Sequence, residues 1–195
     1  MNDNLGDRMK EYENLECGRR FMKLLPIVAR IDGKCFSSFT RGLERPFDSR
    51  LSQLMIFVTK QLADVTNASC GYTQSDEISL LWEGSTEKSS TFFDGRIQKM
   101  VSVLAAMATI QFNSGLPGFF CENSSLLDTL VHRQPVFDAR VWTVPTQHEA
   151  ANVFLWRELD ATKNSISMAT RHYYSHKQLF NKSGQEMQEM LWQKG

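Results

Sequence analysis

The first apolar cluster in the chain is Leu24-Leu25-Pro26-Ile27-Val28-Ala29-Arg30-Ile31. It is short and rich in aliphatics, and it predicts a buried strand over 24–31 that runs into a turn at Asp32-Gly33. The charged segment before it, 7–16, reads as a helix. Beyond the turn, Leu51, Leu54, Met55, Val58 and Leu62 recur at intervals of three and four. That spacing predicts a helix through Ala63, capped by Asp48. Residues 68–73 and 78–82 then read as two strands of a hairpin, with the polar tetrad Gln74-Ser75-Asp76-Glu77 at its tip. A second long helix is expected over 95–112, where Ile97, Val101, Leu104, Ala105, Ala108 and Phe112 share one side. Pro, Gly, Asn and Ser mark 116–125 as a loop. The alternating stretch 137–144 is a strand ended by Pro145. Residues 148–174 are helix-prone, with a break at Asn164-Ser165, and 185–192 forms a last short helix.

The order strand, helix, strand, strand, helix, strand predicts an α+β fold with a ferredoxin-like split βαβ unit, followed by a helical C-terminal part. That topology sets the end of the first strand beside the hairpin tip. It therefore brings Asp32 and the pair Asp76-Glu77 to one edge of the sheet. Carboxylates gathered there repel one another unless one is protonated or a cation intervenes. Mg²⁺ takes oxygen ligands, typically one or two carboxylates with substrate phosphates and water. Two such ions can activate a hydroxyl and stabilise a leaving pyrophosphate. Asp32 and Asp76 suit that role, and Gly33, with no Cβ, lets its own carbonyl approach a metal. The plainer alternative is that each Asp caps a turn and Gly33 only permits the bend.

Composition narrows the field. The 195 residues suit one domain with a real core, and 22 basic against 22 acidic side chains leave no net charge to attract nucleic acid in bulk. Binding to RNA would need a local basic face, and Arg8, Lys10, Arg19, Arg20 and Lys23 crowd the N-terminal segment. Arg96 and Lys99, three apart, share a helix face. Arg30, at the end of an apolar strand, needs an anionic partner, and a triphosphate is a good one. No apolar run is long enough for a membrane span, and the polar N-terminus is no signal peptide, so a cytoplasmic protein is expected. Cys17, Cys35, Cys70 and Cys121 form no CxxC pair and read as free thiols. His172 and His176 lack a third metal ligand, His148-Glu149 lacks the second His of HExxH, and no GxxxxGK[ST] loop exists. Trp142, Trp156 and Trp192 read as core or interface aromatics.

Arg30-Ile31-Asp32-Gly33-Lys34-Cys35-Phe36, followed by Phe39, resembles the R-x-D-G-x-x-F signature of the tRNA-histidine guanylyltransferase family. Gln74-Ser75-Asp76-Glu77-Ile78-Ser79 resembles the family's second signature. Weaker matches are Leu5-Gly6-Asp7-Arg8-Met9-Lys10-x-Tyr12-Glu13, Arg45-Pro46, Phe137-Asp138-x-Arg140 and Trp156-Arg157-x-x-Asp160-x-x-x-Asn164. The resemblance implies a polymerase-palm or cyclase-type antiparallel sheet with flanking helices. It implies a catalytic domain over 1–145 and a helical C-terminal segment over 146–195 packed on it, shortened relative to the family. It also implies nucleotide addition to the 5′ end of tRNA in the 3′→5′ direction, with ATP and GTP as substrates. Two Mg²⁺ ions would be held by Asp32, the Gly33 carbonyl and Asp76, with Glu77 in support. Gly33, Lys34, Cys35, Phe36, Ser37, Phe39, Arg45, Asp48 and Ser75 would bind the nucleotide, the Phe36 to Phe39 stretch shaping the base pocket. Arg30, Arg96, Lys99 and Asn164 would contact the 5′ end, its triphosphate or the tRNA. The run Thr162-Lys163-Asn164-Ser165 looks like the bacterial and archaeal branch, which implies templated 5′-end repair. Family members form tetramers built from dimers, so a homo-oligomer is implied. Two readings compete: an inactive tRNA-binding module, and a palm-type nucleotide cyclase. Intact acidic signatures favour catalysis, and the basic helices favour an RNA acceptor.

Overall fold

The computed structural model describes residues 4–84 and 91–194. Among these residues four strands, β1 (Ile27–Gly33), β2 (Cys70–Gln74), β3 (Glu77–Trp82) and β4 (Phe137–Thr143), form one sheet of order β2-β3-β1-β4. Each neighbouring pair is antiparallel. This is the expected split βαβ arrangement. The chain opens with α1 (Asn4–Cys17); α2 (Phe36–Phe39) and α3 (Ser49–Thr66) lead from β1 to β2. Helices α4 (Ile97–Phe120) and α5 (Ser124–Arg133) lead from β3 to β4. Helices α6 (Gln147–Tyr173), α7 (His176–Leu179) and α8 (Gly184–Trp192) complete the chain. No helix among the described residues is long and apolar enough to cross a membrane.

Side chains alternate across a strand, so the sheet has two unlike faces. On one, Ile27, Ala29, Ile31, Ile78, Leu80, Trp82 and Ala139 pack with Leu54, Met55, Val58 and Leu62 of α3 and Leu104, Ala108 and Phe112 of α4. Each large side chain buried there contributes about 1.5–3 kcal/mol relative to exposure. The other face carries charge. Registered across the strands, one row reads Gln74, Glu77, Asp32, Asp138 and the next Tyr72, Ser79, Arg30, Arg140. Below these, Val28, Leu81 and Ala150 form a small apolar cluster with Trp142, Val144, Val153 and Phe154, which seats α6 on this face.

Three local expectations change. The strand starts at Ile27 rather than 24, because Leu24 sits at φ 69°, outside the extended region. Residues 116–125 are not a loop. Leu116 and Phe120 continue the four-residue spacing of Phe112 and are fully buried, and that apolar gain carries α4 past Pro117. The Asn and Ser that follow cap a new helix: Asn123 accepts from Leu126 N at 3.0 Å and starts α5. Lastly, α6 is unbroken at Asn164-Ser165, where Ser165 Oγ donates back to the Thr162 carbonyl at 2.9 Å.

Candidate active site

β1 and β3 are the two central strands, and their ends meet at the acid row. Asp32 is paired in register with Glu77 on one side and with Asp138 on the other. Gly33 N donates to the Asp76 carbonyl at 3.1 Å. The site therefore lies at the ends of the central strands, not along an edge strand. Ser75 and Asp76 form a two-residue tip between paired Gln74 and Glu77. Ser75 holds a left-handed φ of 50°, and Thr73 Oγ1 pins the turn by donating to the Glu77 carbonyl at 2.8 Å. The facing turn is bent in the same way, with Cys35 at φ 58° heading α2. Left-handed non-glycine residues cost free energy, and tertiary packing must hold them there.

Phe36 supplies that packing. A Cβ on Gly33 would lie 2.3 Å from the Phe36 ring, so glycine is required for the ring to fold back. Phe36 and Phe39 then enter a cluster with Phe112 and Phe137, with centroids 4.9 to 5.5 Å apart. Both rings are buried. At a base pocket they would act from beneath, as the core that fixes the turn. Lys34, Cys35, Ser37 and Ser38 are the exposed part of this segment.

The acid row is electrostatically tense. Burial pushes the Asp32 carboxyl up, Glu77 and Asp138 push it further, and Arg140 and Arg30 only partly offset them. Burial also raises Asp76; its own backbone N–H and the Ser75 hydroxyl pull against this, while Asp32 and Glu77 add to it. Such carboxylates hold their charge more easily beside a cation. Glu77 is different, because it already has its cation. Arg157 of α6 donates from Nε to Oε1 at 2.7 Å and from Nη2 to Oε2 at 2.8 Å, and also reaches Asp160 at 3.0 Å. Glu77 and Arg157 are both buried. Among the described residues, no three His, Cys, Asp or Glu side chains make a metal cage by themselves. Asp32 and Asp76, the two carboxylates of raised proton affinity, have no such guanidinium fork among the described residues. That set suits Mg²⁺, which keeps positions for phosphate and water.

The remaining candidates scatter. Ser75 is exposed at the hairpin tip, and Arg45 is exposed on the loop before α3. Asn164 is exposed on α6, 3.5 Å from Asp160. Arg96 and Lys99 are not brought to the site. They begin α4 beside Phe92, which stacks on Trp82 at the opposite end of β3. Five strand residues, about 17 Å, separate that end from the acid row. Two residues of this face, Asp138 and Arg157, were not singled out as site residues from the sequence. Alternation along 137–144 puts Asp138 and Arg140 on one side, and that was the available signal for Asp138.

Asp48 is a structural cap. It is buried and accepts from Glu44 N at 3.1 Å, Arg50 N at 3.0 Å and the Arg50 side chain at 2.7 Å. Burial pushes its carboxyl up, but the Arg50 hydrogen bond, the Glu44 N–H and the Arg50 charge outweigh this and hold it below the usual carboxylate range. Asp48→Ala is expected to cost about 2–3 kcal/mol in urea unfolding at neutral pH. Because the folded pKa is lowered, this contribution is present above the ordinary aspartate range. It is lost as pH falls through the folded value, so acidification should close the gap between variant and wild type.

Known proteins share this arrangement. A family model described as tRNAHis guanylyltransferase matches residues 6–145. An uncharacterized protein of Acanthamoeba polyphaga mimivirus is 29% identical, covering 89% of this chain and 64% of its own length. The tRNA(His) guanylyltransferase of Schizosaccharomyces pombe is 31% identical, covering 83% of this chain and 58% of its own length. The chain thus spans less than two thirds of these curated relatives. A solved bacterial tRNA(His) guanylyltransferase-like protein in complex with ATP is 37% identical with a TM-score of 0.85, over 96% of this chain and 78% of its own. A solved structure in complex with GTP, of a protein described in the same words, is 36% identical with a TM-score of 0.77, over 96% and 76%. With the family model spanning both acidic signatures and β1 to β4, the chain belongs to the tRNAHis guanylyltransferase family.

Proposed function

We propose that this chain is a Mg²⁺-dependent nucleotidyltransferase that adds nucleotides in the 3′→5′ direction to the 5′ end of tRNA, with templated repair of that end as its task. The observation that carries the reading is the junction of β1 with the hairpin tip, where Asp32 pairs with Glu77 and Gly33 N meets the Asp76 carbonyl. Asp32, Asp76 and the Gly33 carbonyl would hold two Mg²⁺ ions, which when bound offset phosphate charge and make a hydroxyl a better nucleophile. The chain's own residues bind and orient. Ser75 and Arg45 receive the triphosphate of ATP or GTP, with Lys34, Cys35 and Ser37 offered by the turn that Phe36 and Phe39 anchor. Arg30 faces the phosphates at the 5′ end. Glu77, fixed by Arg157, keeps the hairpin tip in place. Asn164 on α6 and the distant pair Arg96 and Lys99 serve the body of the tRNA. The solved bacterial relatives are complexes with ATP and with GTP, which supports triphosphates as substrates.

In this reading residues 1–145 are the catalytic unit, 146–195 are a helical arm on it, and the protein works in the cytoplasm as a dimer or tetramer. The test is incubation with Mg²⁺, ATP, GTP and a 5′-truncated, end-labelled tRNA. Wild type should extend the RNA, and Asp76→Ala should lose on the order of 10³ in rate. RNA binding without extension would favour an inactive binding module, and release of a cyclic mononucleotide a cyclase.

A further inference from the structure

Trp156 reads from the sequence as a core or interface aromatic, yet it is 52% exposed. It stands on α6 over the charged face of the sheet. The Arg157 guanidinium lies 4.6 Å from its ring centroid and that of Arg30 5.7 Å. Arg157 is committed to Glu77 and Asp160. Arg30 is not committed. Among the described residues its Nε is buried with no hydrogen-bond partner, and so is the hydroxyl of Ser79 opposite it in register. A buried donor left unpaired costs free energy that a ligand can recover. On its other side Arg30 is paired in register with Arg140, whose half-exposed guanidinium is 3.5 Å from Asp138.

Helix α6 leans toward β2 and β3, where Phe154 meets Tyr72 and Arg157 meets Glu77. The β1–β4 half of the face therefore presents the guanidiniums of Arg30 and Arg140 beside the exposed indole of Trp156. Asp32 lies one rung further along β1, about 7 Å away. An indole beside arginines suits a nucleobase that stacks while its phosphate pairs with the guanidiniums. An apolar peptide would leave the buried Arg30 Nε without a partner, and a bare phosphate would leave the indole unused.

We propose that Trp156 is a stacking platform for the base of a nucleotide whose phosphate is received by Arg30 and Arg140, next to the acid row. The inference rests on the nucleotidyltransferase reading and deepens it, because it sets where a base sits at the reacting centre. The same chemistry is carried by the 5′-terminal nucleotide of an RNA and by a free triphosphate.

Binding separates the sources. Fluorescence anisotropy is measured without Mg²⁺, and so without turnover, on the full chain. One probe is a single-stranded RNA with a 5′-phosphate and a 3′-fluorescein, and the other is a fluorescent ATP analogue. Trp156→Leu should weaken binding of at least one probe roughly tenfold, with the slope of log Kd against log salt unchanged. Trp156→Phe should keep most of the affinity. Arg140→Gln should instead flatten the slope by about one. A loss confined to the RNA assigns the platform to the acceptor's first nucleotide, and one confined to the analogue assigns it to the triphosphate. If Trp156→Leu binds both as tightly as wild type, the platform falls while the nucleotidyltransferase reading stands. Wild-type protein that binds neither sinks both.

Discussion

Asp32→Asn should make the folded protein harder to unfold at pH 7 while it removes nucleotide addition. The two effects have one cause. Burial, then Glu77 and Asp138, raise the proton affinity of Asp32, so its negative charge is a cost to the fold. A group with a raised folded pKa contributes stability that is complete below its unfolded pKa and lost as pH rises through the folded value. That loss grows as pH rises through the folded value, and a neutral Asn does not incur it. The melting temperature of Asp32→Asn in Mg²⁺-free buffer should therefore exceed that of wild type, and the difference should shrink toward pH 3, where the wild-type carboxyl is protonated. Mg²⁺ should raise the wild-type melting temperature and leave the variant nearly unmoved, because a ligand of the folded state stabilises it by mass action. The rate of 5′ extension should fall on the order of 10³. A variant less stable than wild type at pH 7 would show that Asp32 acts as a structural turn residue, as the plainer reading of the sequence had it.

Asp32 and Asp76 were legible in the sequence because a strand ending in Asp-Gly and a hairpin with an acidic tip become neighbours in one topology. Nothing beyond element order was needed. The placement of Arg96 and Lys99 could have been read by the same logic. β3 leaves the tip at Glu77 and ends at Trp82, so the helix that follows starts at the far end. Their shared helix face indicated a patch but not its location. Phe36 and Phe39 look alike whether they meet a base or a core, and only the positions of Phe112 and Phe137, more than 70 residues on, decide between the two. Pro117 carried a strong stop signal that Leu116 and Phe120 overrode, because tertiary burial outweighs one lost helical hydrogen bond. Arg157 could not be assigned without knowing that α6 crosses the charged face.

That arginine carries the second large expectation. Arg157→Ala should lower stability by about 3–5 kcal/mol, because it leaves Glu77 buried with its charge unpaired. For a chain of this size that is a fall in melting temperature of roughly 10 °C. The loss is one of pairing rather than of an intrinsically strong bridge. Desolvating two charges consumes most of what their attraction returns, so Glu77→Gln combined with Arg157→Met should recover most of the stability that Arg157→Ala removes. Urea unfolding of the single and double variants measures this coupling. Activity should not recover with it. Glu77 begins β3 directly after Asp76, and the Arg157 fork ties that junction to a helix 80 residues further along the chain. A Gln–Met pair fills the space without the two directed hydrogen bonds, so the hairpin tip loses its fixed orientation while the fold persists. Restored stability with restored 5′ extension would mean that the ion pair serves only the fold. Restored stability with extension still depressed would assign Arg157 the role of holding the acid hairpin in its working position.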